Sequence, residues 1–389
     1  MKMRSRVIVS EPGGVAASDG PHLLALVTDA YGGYGGIAQY NRDFLLVAAR
    51  SGLFRSILAL PRLAPQEQGA LPQGLGQEKP SKGRLQYALR ALVSALRNRP
   101  TIIFSGHAYH GPLALILARL TGARLVSQLH GTEVWLPLSY FARIALEASD
   151  LILTVSRDTR ARTLAQLSIA PERVVVVNNT VDDAFCPGDR DSARRRFGVG
   201  EELAILTVSR LDGRVGYKGH DRIIKILPDL RHRGIAVSYL VAGVGPDRER
   251  LERLAQSLEV SDQVRFLGMV PKGDLPDVYR AADLFALPST GEGFGIAFAE
   301  AMACGTAAIG LAVGGTPDAL ADGNLGICIS PEEFPNALIS ALENCNTRNE
   351  GLPQLVQERF GPENFARVLA MHLGLLLEGD DKSRSSHLN

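Results

Sequence analysis

Short apolar runs alternate with stretches of helical period along almost the whole chain, and this alternation restricts the fold more than any other feature. LLALVT (23–28), SILALP (56–61), TIIFSG (101–106), RLVSQLHG (124–131), DLILTVS (150–156) and RVVVVNN (173–179) are rich in Val, Ile and Leu. None alternates strictly, so helices must cover both sheet faces, and the pattern predicts a parallel, doubly wound α/β domain. Pro, Gly and mixed charge interrupt it at DDAFCPGDRDSARRRFGVGEE (182–202). A second series then opens with LAILTVSR (203–210), followed by VSYLVAG (237–243), QVRFLG (263–268), DLFALPS (283–289), AAIGL (307–311) and LGICIS (325–330). A linker is therefore expected near 183–200. A chain of 389 residues with 46% hydrophobic content is too long for one ordinary core. Two similar α/β domains imply a cleft, with ligands at the carboxyl ends of the strands.

Lys and Arg total 42 against 41 Asp and Glu, so the bulk charge does not call for a nucleic acid partner. Cys186, Cys304, Cys328 and Cys345 lack close zinc-ligand spacing and read as buried thiols of a reducing compartment. The start, MKMRSRVIVSEPGG, is basic, but its apolar core is too short for a signal peptide. No run approaches the roughly 18–20 apolar residues of a membrane span. The expectation is a cytoplasmic protein, with peripheral attachment to the inner face of the plasma membrane left open. Residues 62–82, with several Pro, Gly and Gln, read as a mobile loop, and the polar end, 379–389, as a loose tail.

DLFALPSTGEGFGIAFAEAMACG (283–305) reads as a strand, a glycine-rich loop, and a helix from about Phe294–Ile296 to Gly305. Gly293 and Gly295 allow close approach to a ligand, and the free N–H groups of the helix's first turn favour an anion such as a diphosphate. Glu292 on the loop and Glu300 inside the helix address different parts of one ligand. Carboxylates accept paired hydrogen bonds from vicinal hydroxyls, which suits a sugar at Glu292 and a ribose at Glu300. SRLDGRVGYKGHD (209–221) sets Arg210 at a strand's carboxyl end and Lys218 just before a helix, two cations suited to a dianionic leaving group. Alone, each stretch also fits ordinary surface charges. They occupy equivalent strand-to-helix positions in one domain, which favours a shared site. GVGPDR (243–248) begins like a dinucleotide fingerprint, but Arg248 stands where the third glycine is needed, so a nicotinamide enzyme is a poor fit.

Together these residues resemble the retaining glycosyltransferases of family 4, which have the two-Rossmann architecture called GT-B. The resemblance rests on Glu292 and Glu300 with seven residues between them, on Arg210 and Lys218, and on AGVGPDRERLERLA (242–255), GGYGGIAQY (32–40) and HGTE (130–133). It implies an acceptor-binding domain over 1–187, a nucleotide-sugar domain over 188–360, and a helix over 361–378 packing back on the first domain. It further implies that Arg210 and Lys218 hold the diphosphate, that Glu292 contacts the donor sugar, and that Glu300 contacts the ribose. Gly293, Phe294, Gly295 and Ile296 would touch phosphate and sugar; Gly35 and Gly36 would offer amides near phosphate or acceptor. His130 would lie by the sugar's reacting face, with Gly315 and Thr316 near the diphosphate. No cofactor or metal is implied beyond a nucleotide diphosphate sugar, GDP- or UDP-linked. The acceptor is expected to be a glycan or lipid-linked saccharide of bacterial cell-surface polysaccharide assembly. GT-B phosphorylases, epimerases and a non-catalytic sugar-nucleotide-binding protein are the alternatives.

SKGRLQYALRALVSALRNRP (81–100) carries Lys82, Arg84, Arg90, Arg97 and Arg99 without an acid, and Leu85, Leu89, Leu92 and Leu96 fall at helical spacing. This stripe fits either core packing below solvated arginines or contact with an anionic membrane that holds a lipid-linked acceptor.

Overall fold

The computed structural model describes residues 20–81, 83–213, 217–344 and 349–385. The basic start, Lys82 and Cys345 lie outside the described residues, as does the middle of the Arg210–Lys218 loop at 214–216. The first sheet contains β1 (His22–Val27), β2 (Ser56–Pro61), β3 (Leu75–Gln77), β4 (Ile102–Ser105), β5 (Arg124–Leu129), β6 (Leu151–Thr154) and β7 (Val174–Val176). Its spatial order is β3-β2-β1-β4-β5-β6-β7. The second contains β8 (Leu203–Val208), β9 (Val237–Ala242), β10 (Val264–Gly268), β11 (Leu284–Leu287), β12 (Ala307–Leu311) and β13 (Ile327–Ile329), ordered β10-β9-β8-β11-β12-β13. All pairings within these sheets are parallel.

Strand β1 shows why the apolar runs do not alternate. Leu24 and Leu26 pack with Tyr87 and Leu117 on one face, and Leu23 and Ala25 join the cluster of Phe44 and Leu45 on the other. Each sheet also reverses direction at a central pair. The chain moves from β1 out to β3 and returns to β4, and from β8 out to β10 and returns to β11. Such reversals open a crevice at the strands' carboxyl ends.

The linker region is not bare loop. It holds the helix Arg190–Arg196, whose Arg194 meets Asp283 at 2.9 Å and ties this segment to the second sheet. The chain returns near Phe360, whose carbonyl accepts the Val181 N–H at 2.8 Å. Beyond it the helix Pro362–Ser385 packs on the helix Gly36–Arg50, with Phe365 edge-on to Tyr40 at 5.6 Å.

Several expectations are corrected. Residues 62–82 include β3, paired in parallel with β2, and Gln77 both donates to the Tyr31 carbonyl (2.8 Å) and accepts its N–H (3.2 Å). Three residues are too few to show a period. The last helix continues to Ser385, past the start of the supposed tail at 379. Cys304 is buried, but Cys328 is half-buried and Cys186 is exposed beside Pro187 and Gly188 in the linker. The helix Arg84–Asn98 turns Tyr87, Ala91, Ser94 and Ala95 inward, and leaves Leu85, Leu89 and Leu96 exposed with Leu92 half-buried. The helix itself is core-packed through Tyr87, Ala91 and Ala95, and Leu92 touches the same cluster, but Leu85, Leu89 and Leu96 of the stripe stay outside it.

Candidate active site

The crevice of the second sheet lies between the ends of β8 and β11. Arg210 follows β8 and is exposed, with no ion-pair partner among the described residues. Its loop is seated against two glycines: a Cβ on Gly243 would lie 1.8 Å from the Ser209 carbonyl oxygen, and one on Gly245 would lie 2.1 Å from that of Leu211. The glycines that resemble a dinucleotide fingerprint therefore serve close packing of the Arg210 loop.

A buried polar chain joins the Arg210 and Lys218 segments. His220 Nε2 meets Ser209 Oγ at 3.0 Å and Nδ1 meets the Tyr239 hydroxyl at 2.9 Å; that hydroxyl also contacts Thr207 Oγ1 at 2.9 Å. Burial pushes the His220 pKa down to about 4, so its ring is a neutral strut near pH 7. Lys218 itself pairs with Glu292, Nζ to Oε1 at 2.7 Å, with both side chains largely buried. The Tyr217 carbonyl accepts from Ser289 Oγ at 3.0 Å and from the Thr290 N–H at 2.9 Å, pinning the lysine's loop to the end of β11.

The loop after β11 is packed without slack. A Cβ on Gly293 would stand 1.9 Å from the His130 carbonyl oxygen, and one on Gly131 would stand 2.5 Å from the Gly293 Cα. The two halves of the molecule meet backbone to backbone at this point. Phe294 is buried against Phe360, and Gly295, in the left-handed region at φ 95°, precedes the helix Ile296–Ala303, whose first turn carries no acid. The Gly315 N–H donates to the Glu292 carbonyl at 2.8 Å, so this amide holds the loop. Thr316 is buried, and its hydroxyl has no hydrogen-bond partner among the described residues.

Glu300, in the helix Ile296–Ala303, accepts from the Tyr279 hydroxyl at 2.7 Å. Burial raises its pKa from 4.5 to about 7, with Lys272 opposing the shift and Asp182 adding to it. Between those two values the folded protein keeps a proton that the unfolded chain has released, so this group makes stability fall as pH rises. Glu300→Gln removes the dependence. Its melting temperature relative to wild type is expected to rise by a few degrees from pH 5 to pH 7.5, while parallel curves for the two proteins would contradict the assignment. Asp43, also raised by burial, is common to both proteins and cancels.

From the first half, His130 stands at the end of β5. Its Nε2 lies 2.9 Å from the Gly106 carbonyl, which can only accept, so Nε2 carries the proton and Nδ1 is left as an acceptor. Burial lowers the ring's pKa, keeping it neutral. The Glu133 carboxylate accepts the His130 backbone N–H at 3.0 Å and approaches His107 Nε2 at 3.5 Å. Gly35 and Gly36 begin the helix Gly36–Arg50, and a Cβ on either would meet nothing within 4 Å, so their backbone faces open space.

Lys218, Glu292, Gly293, Gly295, Gly315 and His130 are thus gathered at one place. Ser209, next to Arg210, is tied to the Lys218 segment through His220, Glu300 bonds Tyr279, and Tyr40, in the helix that Gly36 begins, stands edge-on to His130 at 5.3 Å. Sequence reading missed His220, Glu133, Tyr217 and Trp135. The Trp135 ring covers Gly291, 3.2 Å from that residue's would-be Cβ, and stands edge-on to Tyr217 at 5.9 Å. A histidine two residues after Lys218 and a serine beside Arg210 were the available signals for the polar strut. Among the described residues no group of three or more His, Cys, Asp or Glu is arranged to hold a metal ion.

Residues 189–351 match the family model described as glycosyl transferases group 1, and residues 34–185 match that of glycosyltransferase family 4. The D-inositol 3-phosphate glycosyltransferase 1 of Catenulispora acidiphila is 30% identical over 354 residues, covering 79% of this chain and 84% of that protein. A GDP-mannose-dependent alpha-(1-6)-phosphatidylinositol monomannoside mannosyltransferase of Mycolicibacterium smegmatis is 36% identical over 234 residues, which cover 56% of this chain and 60% of the relative. Among solved structures, Anabaena HepE in complex with UDP-glucose superposes with a TM-score of 0.74 at 20% identity, covering 91% and 99% of the two chains. A sucrose-phosphate synthase from Thermosynechococcus elongatus gives 0.75 at 19% identity, covering 93% and 100%.

Proposed function

The chain belongs to the family 4 glycosyltransferases, and on that premise we propose that it moves a hexose from a GDP- or UDP-linked donor to a glycan or lipid-linked saccharide. In this reading the anomeric configuration is retained and no metal takes part. The observation that carries it is the Lys218–Glu292 pair, held at 2.7 Å in the crevice where the second sheet reverses. Lys218 and Arg210 bind the donor's diphosphate and stabilise the negative charge that develops on it. Glu292 holds the sugar hydroxyls, Glu300 the ribose, and the backbone of Gly293–Ile296 borders phosphate and sugar. The His130 Nδ1 lone pair accepts from a sugar hydroxyl, and Gly35 and Gly36 offer amides from the opposite side. The bond from the anomeric carbon to the phosphate oxygen breaks with its electrons going to phosphate. The acceptor oxygen bonds on the same face and passes its proton to that phosphate.

The GDP-mannose dependence named for one relative and the UDP-glucose complex of a structural neighbour support these two donor classes. Cell-surface polysaccharide assembly in the bacterial cytoplasm, beside the inner face of the membrane, is the setting proposed. No helix among the described residues is long and apolar enough to cross a membrane. The test is thermal stabilisation by UDP, GDP, ADP, dTDP and NAD, with and without a chelator. A nucleotide at about 100 times its Kd adds roughly 2.7 kcal/mol of stability. One nucleoside diphosphate is expected to give a chelator-insensitive shift that Arg210→Ala abolishes. A shift with NAD alone, or one that needs a divalent ion, would refute the corresponding part of the reading.

A further inference from the structure

Three neighbouring helices of the first half carry an outward surface that the transfer chemistry does not use. The helices Arg84–Asn98, Gly111–Thr121 and Tyr140–Glu147 pack in sequence beside one another. They share a buried cluster that includes Tyr87, Leu117 and Ala145. A helix covering a sheet ordinarily presents charge on its other face. Here Leu85, Leu89, Val93 and Leu96 project from the first helix, Leu85 being 75% exposed. Ile116 and Leu120 are exposed on the second, and Tyr140 and Phe141 on the third, at 72% and 68%. One exposed leucine is ordinary, whereas apolar residues carried across three adjacent helices mark an interaction surface.

The charge on these helices identifies the partner. They contain Arg84, Arg90, Arg97, Arg119 and Arg143, and one acid, Glu147, which pairs with Arg143 at 2.9 Å. Arg90 is occupied by Glu78 at 2.6 Å, but Arg84, Arg97 and Arg119 are exposed and have no acidic partner among the described residues. Apolar side chains among guanidinium groups that lack an acidic partner suit acyl chains below anionic headgroups, with tyrosine at the boundary. The surface is also continuous with the crevice. After β5 the chain places His130 and Trp135 at the site, and then runs through exposed Leu136 to Tyr140 and Phe141.

We propose that this three-helix face docks the protein on an anionic lipid bilayer, with residues 136–141 bringing the crevice to the lipid surface; only the presentation of a lipid-linked acceptor rests on the functional reading above. Full-length protein is sedimented with phosphatidylcholine vesicles, with and without phosphatidylglycerol. Binding is expected only with the anionic lipid, and it weakens as salt rises. Leu85→Glu with Leu89→Glu, and separately Phe141→Glu, should lower partitioning at least about tenfold. Arg97→Glu and Arg119→Glu should each lower it by at least about fivefold. All these side chains are exposed, so unchanged melting temperatures are expected and exclude misfolding.

Absent binding to anionic vesicles, or binding untouched by these variants, overturns the proposal. So does a dimer, detected by sedimentation velocity, that the same variants dissociate without any vesicle binding; the face would then join two copies of the chain. Nucleotide-induced stabilisation measured on the same samples keeps the two readings apart. If it persists while vesicle binding fails, docking alone is wrong. If vesicle binding holds while no nucleotide stabilises the protein, the transfer reading is the one refuted.

Discussion

Arg210→Ala is expected to lower kcat by about 10²–10³-fold, the usual cost of removing one preorganised group that stabilises charge in a transition state. Steady-state transfer with the donor chosen by thermal stabilisation measures it. The variant is clean because Arg210 is exposed and has no ion-pair partner among the described residues. Its melting temperature should therefore move little, as surface substitutions usually stay within about 0.5 kcal/mol. Lys218→Ala should lose activity to a similar degree for the same reason, but it also strands the largely buried Glu292 and so lowers stability as well. Equal activity in Arg210→Ala and wild type would remove Arg210 from the machinery.

Gly293→Ala should be as damaging by a different route. Its methyl group would stand 1.9 Å from the His130 carbonyl oxygen, so the backbone of one half must retreat from the other. A displacement of about 1 Å at a reacting centre costs on the order of 10²-fold in rate, and kcat/KM should fall by at least that factor. Gly131→Ala tests the same contact from the opposite side, with the added strain of φ +106°. Gly273→Ala is the control, because its Cβ would meet nothing within 4 Å and φ there is not positive. Full activity in Gly293→Ala would show that the close contact does not matter to the reaction.

The fold was readable because a helix-covered parallel strand needs apolar side chains on both faces, and that requirement leaves an unmistakable run such as LAILTVS. Strand β3 left no such mark: Leu75–Gln77 is held by its pairing with Ile57–Ala59, which is remote in sequence. The stripe Leu85, Leu89, Leu92 and Leu96 was visible as a stripe, but spacing alone cannot say which side faces the sheet. Small inward residues, Ala91, Ser94 and Ala95, let the helix approach the sheet and left Leu85, Leu89 and Leu96 outside, with Leu92 at the boundary. At the site, the glycine-rich loop and its acids stood out as a local pattern. The contacts of Gly293 with His130 and of Gly291 with Trp135 did not, because each joins residues from different halves of the chain.

Trp135 is the chain's only tryptophan, and it sits where the two halves meet, over Gly291 and edge-on to Tyr217. All indole emission from the protein therefore originates at this one seam. The molecule carries its own optical gauge of how the loop after β5 lies against the loop after β11, readable by fluorescence in native protein without a label.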